Sequence, residues 1–143
     1  MSEFDKCVER GNLKEFAGAG VDVAENEFRA ARTDLADAEF VFDHDMPKRT
    51  TITAYYAMFH AARALVLARG YVEKSHYCLL IAFRRFYGDD PEGRDLARGI
   101  EQARVLRENA DYHADFSTEG AEAVLVVARR FLAFAERALA SRP

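Results

Sequence analysis

An arginine on an oily helix stripe, with a histidine just beyond it, is the pairing in this sequence with the clearest capacity for chemistry. The stretch reads Arg107-Glu108-Asn109-Ala110-Asp111-Tyr112-His113. On a helix turning about 100° per residue, Leu96, Ile100, Ala103 and Ala110 share one stripe, and Arg107 falls within roughly 20° of Leu96. A guanidinium there must be paired or face a cleft, because an isolated buried charge is very costly. Asp111 lies four residues on along the same face and offers a purely structural ion pair. The alternative is phosphodiester cleavage, in which arginine stabilises charge developing on phosphate and histidine moves protons near neutral pH. On an ideal helix His113 sits about 120° from Arg107. The two therefore meet only if the helix unwinds near Tyr112 or a second subunit completes the site.

The elements that must position these residues are helical. A chain of 143 residues suits one core. An apolar fraction of 50% and a charged fraction of 31% exclude a disordered tail or a fibre. Net charge of −4 argues against a broadly basic nucleic-acid coat protein. Ser2 to Arg10 reads as a short helix closed by Gly11, and Gly18-Ala19-Gly20 as a joint. Asp22 and Glu25 resemble a capping box opening a helix to about Asp43. The segment from Thr50 to Gly70 is apolar almost all round and should be the central helix. Ser75 and Gly88 bracket another helix, and Asp90-Pro91 opens one to about Asp111. Ser117 or Thr118 caps a last helix to about Leu139, whose two apolar seams can meet two neighbours in the bundle or in a second subunit.

No segment alternates with period two, so no sheet is expected. The expected fold is all-α: an up-and-down antiparallel bundle of four to five main helices over residues 21–143, preceded by a short helix and joint over 1–20. Cys7 and Cys78 are too few for a disulfide scaffold and suit a reducing cytoplasm as small hydrophobes. The charged start shows no secretory signal, and the longest apolar run, Ala54 to Ala68, is broken by His60 and Arg63, so no membrane span is expected. The four histidines and two cysteines show no metal spacing, and no metal or cofactor is expected.

Other polar residues have both plain and sharper readings. His60 and Arg63 share one helix face, where a buried hydrogen bond or snorkelling competes with lining a cleft. Tyr55 and Tyr56 read first as core aromatics. Lys74 and His76 flank the capping Ser75, where helix amides and dipole attract anions; a phosphate subsite is the sharper reading and a plain helix start the commoner one.

Three blocks resemble HEPN domains of the small stand-alone prokaryotic branch. They are Ala54-Tyr55-Tyr56-Ala57-Met58-Phe59-His60-Ala61-Ala62-Arg63-Ala64-Leu65, then Gly70 with Lys74-Ser75-His76, then Arg107 with Ala110-Asp111-Tyr112. The resemblance runs from about Asp22 to Leu139. It implies a helical bundle, commonly a homodimer, and in many members a metal-independent endoribonuclease with Arg, four to six residues, then His. Arg107 and His113 fit that pattern as catalytic residues, with Lys74, His76, Asn109, Tyr56 and Arg63 as substrate-binding candidates and Asp111 as a structural ion pair. RNA would be the substrate, its 2′-hydroxyl the nucleophile, and DNA would resist. The resemblance equally implies a non-catalytic module that binds a nucleotidyltransferase partner, as in toxin–antitoxin pairs; a helical dimer without ligand is the third reading. Two positions depart from active relatives: Glu108 stands where Asn, Asp or His is usual, and Asp115 where some carry Tyr. Acidic Glu108, Asp111 and Asp115 oppose a phosphate backbone unless their charges are paired.

Overall fold

A computed structural model describes residues 1–16 and 21–141 of the chain. In order these residues form α1 (Glu3–Glu9), β1 (Leu13–Glu15), α2 (Val21–Asp43), α3 (Pro47–Ala68), β2 (Tyr71–Glu73), α4 (His76–Tyr87), α5 (Pro91–Tyr112) and α6 (Thr118–Ala140). α3 is the axis, as its all-round apolar composition demands: Ala54, Ala57, Met58, Ala61, Ala64, Leu65 and Val66 are all fully buried. Its alanines let neighbouring helices approach closely, and α2, α4, α5 and α6 all pack against it. Ion pairs Arg32–Glu136 and Glu39–Arg129 run α2 antiparallel to α6. Both seams of α6 are used within the chain: Val124, Leu125, Ala128, Phe131, Leu132, Phe134 and Ala135 are buried. Phe131 and Phe134 meet Phe83 of α4 at ring-centre distances of 5.1 and 6.3 Å.

Local chemistry sets the helix ends. Ser2 and Asp5 form a capping box on α1, and the side chains of Ser75, Asp90 and Ser117 accept backbone N–H groups at the starts of α4, α5 and α6. Pro47 and Pro91 occupy first-turn positions, where no amide donor is needed. Pro47 thus opens α3 three residues before the apolar segment begins. Gly70 takes φ of 86° after α3, a left-handed turn that glycine adopts without steric penalty. Asp22 lies inside the first turn of α2 rather than ahead of it, since the helix is already formed at Val21. The expected Gly18–Gly20 joint lies outside the described residues.

Two expectations are overturned. A two-stranded antiparallel ribbon exists, pairing Leu13 with Glu73, Lys14 with Val72 and Glu15 with Tyr71. Strands of three residues are too short to show a period of two in sequence; they are held by flanking bonds such as Phe16 N–H to the Gly70 carbonyl at 2.8 Å. Cys7 and Cys78 are not thiols but a disulfide, with Cα atoms 5.8 Å apart, that fastens α1 to α4. Among the described residues no helix is long and apolar enough to cross a membrane.

Candidate functional site

Arg107 projects from α5 into the bundle with its side chain 15% exposed. Its Nη2 donates to the Tyr56 hydroxyl of α3 at 2.7 Å and lies 3.3 Å from an Asp111 carboxylate oxygen. The guanidinium carbon sits 5.2 Å from the Tyr56 ring centre and 5.5 Å from that of Tyr112. The structural ion pair is present, yet it engages one nitrogen and leaves Nε buried without a partner. A buried donor left unmatched is uncommon, and it marks the group as incompletely satisfied within one chain.

α5 ends at Tyr112, one residue before His113. His113 is the C-cap with φ of −120° and ψ of 1°, so its backbone has already left the helix. Ala114 then turns left-handed at φ of 52°, a conformation that costs an alanine about 1–2 kcal/mol. The Asn109 carbonyl holds this turn, accepting N–H groups of His113 at 3.1 Å and Asp115 at 3.0 Å. The His113 N–H thus still makes the helical bond four residues back, so α5 does not unwind before His113, and among the described residues no hydrogen bond joins its imidazole to Arg107 within one chain. The imidazole is exposed on this single chain. Asn109 also lines a small cavity of about 70 Å³ with Thr51, Leu106 and Phe116. Two of the acidic residues beside the motif are partnered: Asp111 by Arg107, and Glu108 by Arg104.

His76 stands on the other side of the Tyr55-Tyr56 pair. Its Nδ1 is 3.2 Å from the Tyr55 hydroxyl, and its ring meets Phe59 edge-on at 4.3 Å. Partial burial, reinforced by the positive charge of Arg107, lowers the His76 pKa below the ordinary histidine value and favours the neutral ring, although the residue keeps an exposed edge. Burial pushes the Tyr55 hydroxyl up to about 12. Lys74 is exposed on the ribbon, where the adjacent Lys14 ammonium lowers its pKa. Sequence reasoning missed the Tyr55–His76 bond, because 21 residues and a ribbon separate the two.

Arg63 is brought near this cluster but is committed elsewhere. Its Nη2 lies 2.6 Å from Glu73 and its Nη1 3.3 Å from Glu27, while its guanidinium covers the Phe59 ring at 4.7 Å. Neighbouring His60 bonds Glu27 at 3.1 Å and lies 3.6 Å from Asp34. This buried-edge network ties α2, α3 and β2 together, and the buried Glu73 carboxylate had no signal in the sequence. The hydrogen bond that the His60 ring donates to Glu27 is the largest influence on His60 and raises its pKa above 6.5. Burial pushes Glu27 up, yet the hydrogen bond and charge of His60, aided by Arg63, leave it below 4.5.

A group whose pKa is raised by folding stabilises fully below its unfolded value and loses that contribution as pH rises through the folded one. The His60 contribution is therefore expected to be present at pH 6 and to fade toward pH 8, whereas that of Glu27 fades only in acid. In urea titrations across that range, wild type should lose stability relative to His60→Gln, by about 1 kcal/mol or less for so partly exposed a group. Parallel curves for the two proteins would assign the slope to other groups.

Comparison with known proteins adds a family. The family model described as "HEPN domain" matches residues 24–138. The chain is similar to "Putative toxin MJ0605" of Methanocaldococcus jannaschii, at 27% identity over 94% of this chain and 96% of that protein. It is also similar to a "UPF0332 protein" of Archaeoglobus fulgidus, at 35% identity over 64% of this chain and 74% of that one.

Proposed function

Since the chain belongs to the HEPN domain family, we propose that it is a metal-independent endoribonuclease of toxin type, acting as a homodimer. Arg107 binds the scissile phosphate, and His113 moves protons in a cleft shared by two copies. One His113 takes the proton of the RNA 2′-hydroxyl as that oxygen attacks phosphorus. The bond to the 5′-oxygen breaks, and the partner copy's imidazole protonates the departing oxygen, leaving a 2′,3′-cyclic phosphate. Two imidazoles of opposite protonation are needed, and one chain supplies one at this end of α5, which is the reason for a dimer.

The observation that carries this reading is the half-satisfied Arg107 guanidinium, fixed by Tyr56 and Asp111 with Nε buried and unpartnered, at the point where α5 ends in His113. A phosphate oxygen meets the exposed part of the guanidinium, since Nε itself is buried. Exposed Tyr112, Phe116 and Leu106 around the motif suit a surface covered by protein. That covering favours the dimer, and it equally favours a non-catalytic module docking a nucleotidyltransferase-type partner, the second reading.

The test incubates purified protein with structured and single-stranded RNA in EDTA, beside His113→Ala. Wild type should cut RNA and leave DNA intact, and the variant should leave both intact. Equal cleavage, or none, by the two proteins sinks the enzyme and leaves the partner-binding module. Sedimentation should give about twice the chain mass of 16.1 kDa; a monomer at micromolar concentration refutes the shared cleft.

A further inference from the structure

A second concavity lies between α3, α4 and α5, beyond the tyrosine pair from Arg107. It encloses about 220 Å³, and its walls include Tyr55, Phe59, His76, Leu80, Ile100 and Arg104. That volume is below the roughly 300–1,000 Å³ of clefts that engulf drug-sized ligands, and it suits one ring system. The walls are mostly aromatic and aliphatic, so the occupant presents apolar faces.

The polar groups define its edge. Arg104 is held by Glu101 at 2.6 Å and by Glu108, so the cleft offers neither a free cation for a carboxylate or phosphate nor a free carboxylate for an amine. What it offers is neutral. The Tyr55 hydroxyl and the His76 imidazole are joined at 3.2 Å, and with His76 uncharged the pair provides hydrogen-bond donor and acceptor capacity without net charge. A planar, uncharged heteroaromatic ring with donors and acceptors on its rim is the chemistry that matches.

The cleft is also coupled to the candidate site. The Tyr55 ring packs edge-on against Tyr56 at 5.4 Å, and the Tyr56 hydroxyl accepts from Arg107 at 2.7 Å. A strand whose phosphate rests on Arg107 can therefore turn an adjacent base toward the cleft. We propose that this cleft is a base pocket, receiving one unstacked neutral nucleobase of an RNA strand held at Arg107 and so biasing where the strand is cut. The assignment of the source to RNA rests on the function proposed above; the ring chemistry does not. Single-stranded RNA is commonly read in this way, by apolar contact with a splayed base and hydrogen bonds to its edge. Tyr77 at the mouth donates to Glu3 of α1, and the neighbouring Cys78 is bonded to Cys7, so the first turn of α4 is anchored where the base would enter.

The experiment has two arms, each with wild type and Leu80→Trp, which fills the cleft with an indole. In the first arm the four free ribonucleosides are titrated into labelled protein. Saturable shifts of the amides of Ala62, His76 and Ile100 are expected, strongest for one base and absent in a Leu80→Trp protein that melts as wild type does. His76→Phe, which keeps a ring and removes both nitrogens, should lower the preference between bases about tenfold. The second arm maps cleavage of a mixed-sequence RNA, where wild type should prefer one neighbouring base by about tenfold and Leu80→Trp should cut without preference. No nucleoside shifts at these amides, or Leu80→Trp retaining both shifts and preference, overturns the pocket while leaving the nuclease reading untouched. Nucleoside shifts with no RNA cut by any protein support the base pocket, move its source to a free nucleoside and overturn the nuclease instead.

Discussion

Arg107→Lys is expected to lower RNA cleavage by about 100-fold or more while the chain stays folded, the scale seen when one charge-stabilising donor is removed from a transition state. The physical reason is the fork. Arg107 holds Tyr56 and Asp111 through Nη2 and carries further N–H donors in the same rigid plane. An ammonium is a point charge on a flexible stem, and it cannot hold those partners and present a second donor in a fixed plane. The stability change should be modest, because Asp111 is 36% exposed and a solvent-screened pair of this kind contributes about 0.5 kcal/mol. Arg107→Ala also strips the Tyr56 hydroxyl of its partner and should cost roughly 1–2 kcal/mol in a urea titration. The informative comparison is cleavage against melting. Full cleavage by Arg107→Lys would make the guanidinium a packing element, whereas a large loss with a near-native melt makes it functional.

Why Arg107 stood out in the sequence, and its surroundings did not, has a simple cause. Helical periodicity is local. Leu96, Ile100, Ala103 and Ala110 define a stripe within one segment, so a charged residue on it is visible, and so is Asp111 four residues away. The same locality exposed the caps at Ser75, Asp90 and Ser117, and hence nearly every helix end. Tyr56, in contrast, reaches Arg107 across 51 residues, Glu73 reaches Arg63 from a strand, and Glu27 reaches His60 from the preceding helix. Contacts of that kind depend on helix crossing and rotation, which no periodicity carries. The alanine-rich face of α3 is what brings those helices close enough for polar tips to meet. His113 shows the opposite limit: its position after the helix was readable, but the left-handed Ala114 that redirects the chain has no residue signature, since glycine or asparagine would be the usual choice there. The ribbon was invisible because three residues cannot display alternation.

The disulfide was the other silent feature, and it should dominate stability. Two cysteines 71 positions apart carry no spacing pattern, and only folding brings α1 onto α4. Closing a loop of that length removes unfolded-state entropy worth about 4 kcal/mol in the chain-entropy model. Reduction, or the double replacement Cys7→Ala with Cys78→Ala, is therefore expected to lower the unfolding free energy by roughly that amount, a large share of the 5–15 kcal/mol typical of a domain. The loss should not be uniform. α1 has seven residues, too few to persist alone, and what holds it besides the bond is Phe4 set edge-on against Tyr71 and Phe86 and the Tyr77–Glu3 hydrogen bond. Amide exchange in the reduced protein should accordingly rise first in α1 and β1, then in the opening turn of α4, with the centre of α3 protected to the end. If oxidised and reduced chains unfold at the same urea concentration with the same exchange map, the α1 contacts alone are sufficient and the bond contributes nothing measurable. If stability falls by about 4 kcal/mol while exchange rises everywhere equally, the bond acts only through the unfolded chain, and α1 is held by its aromatic contacts.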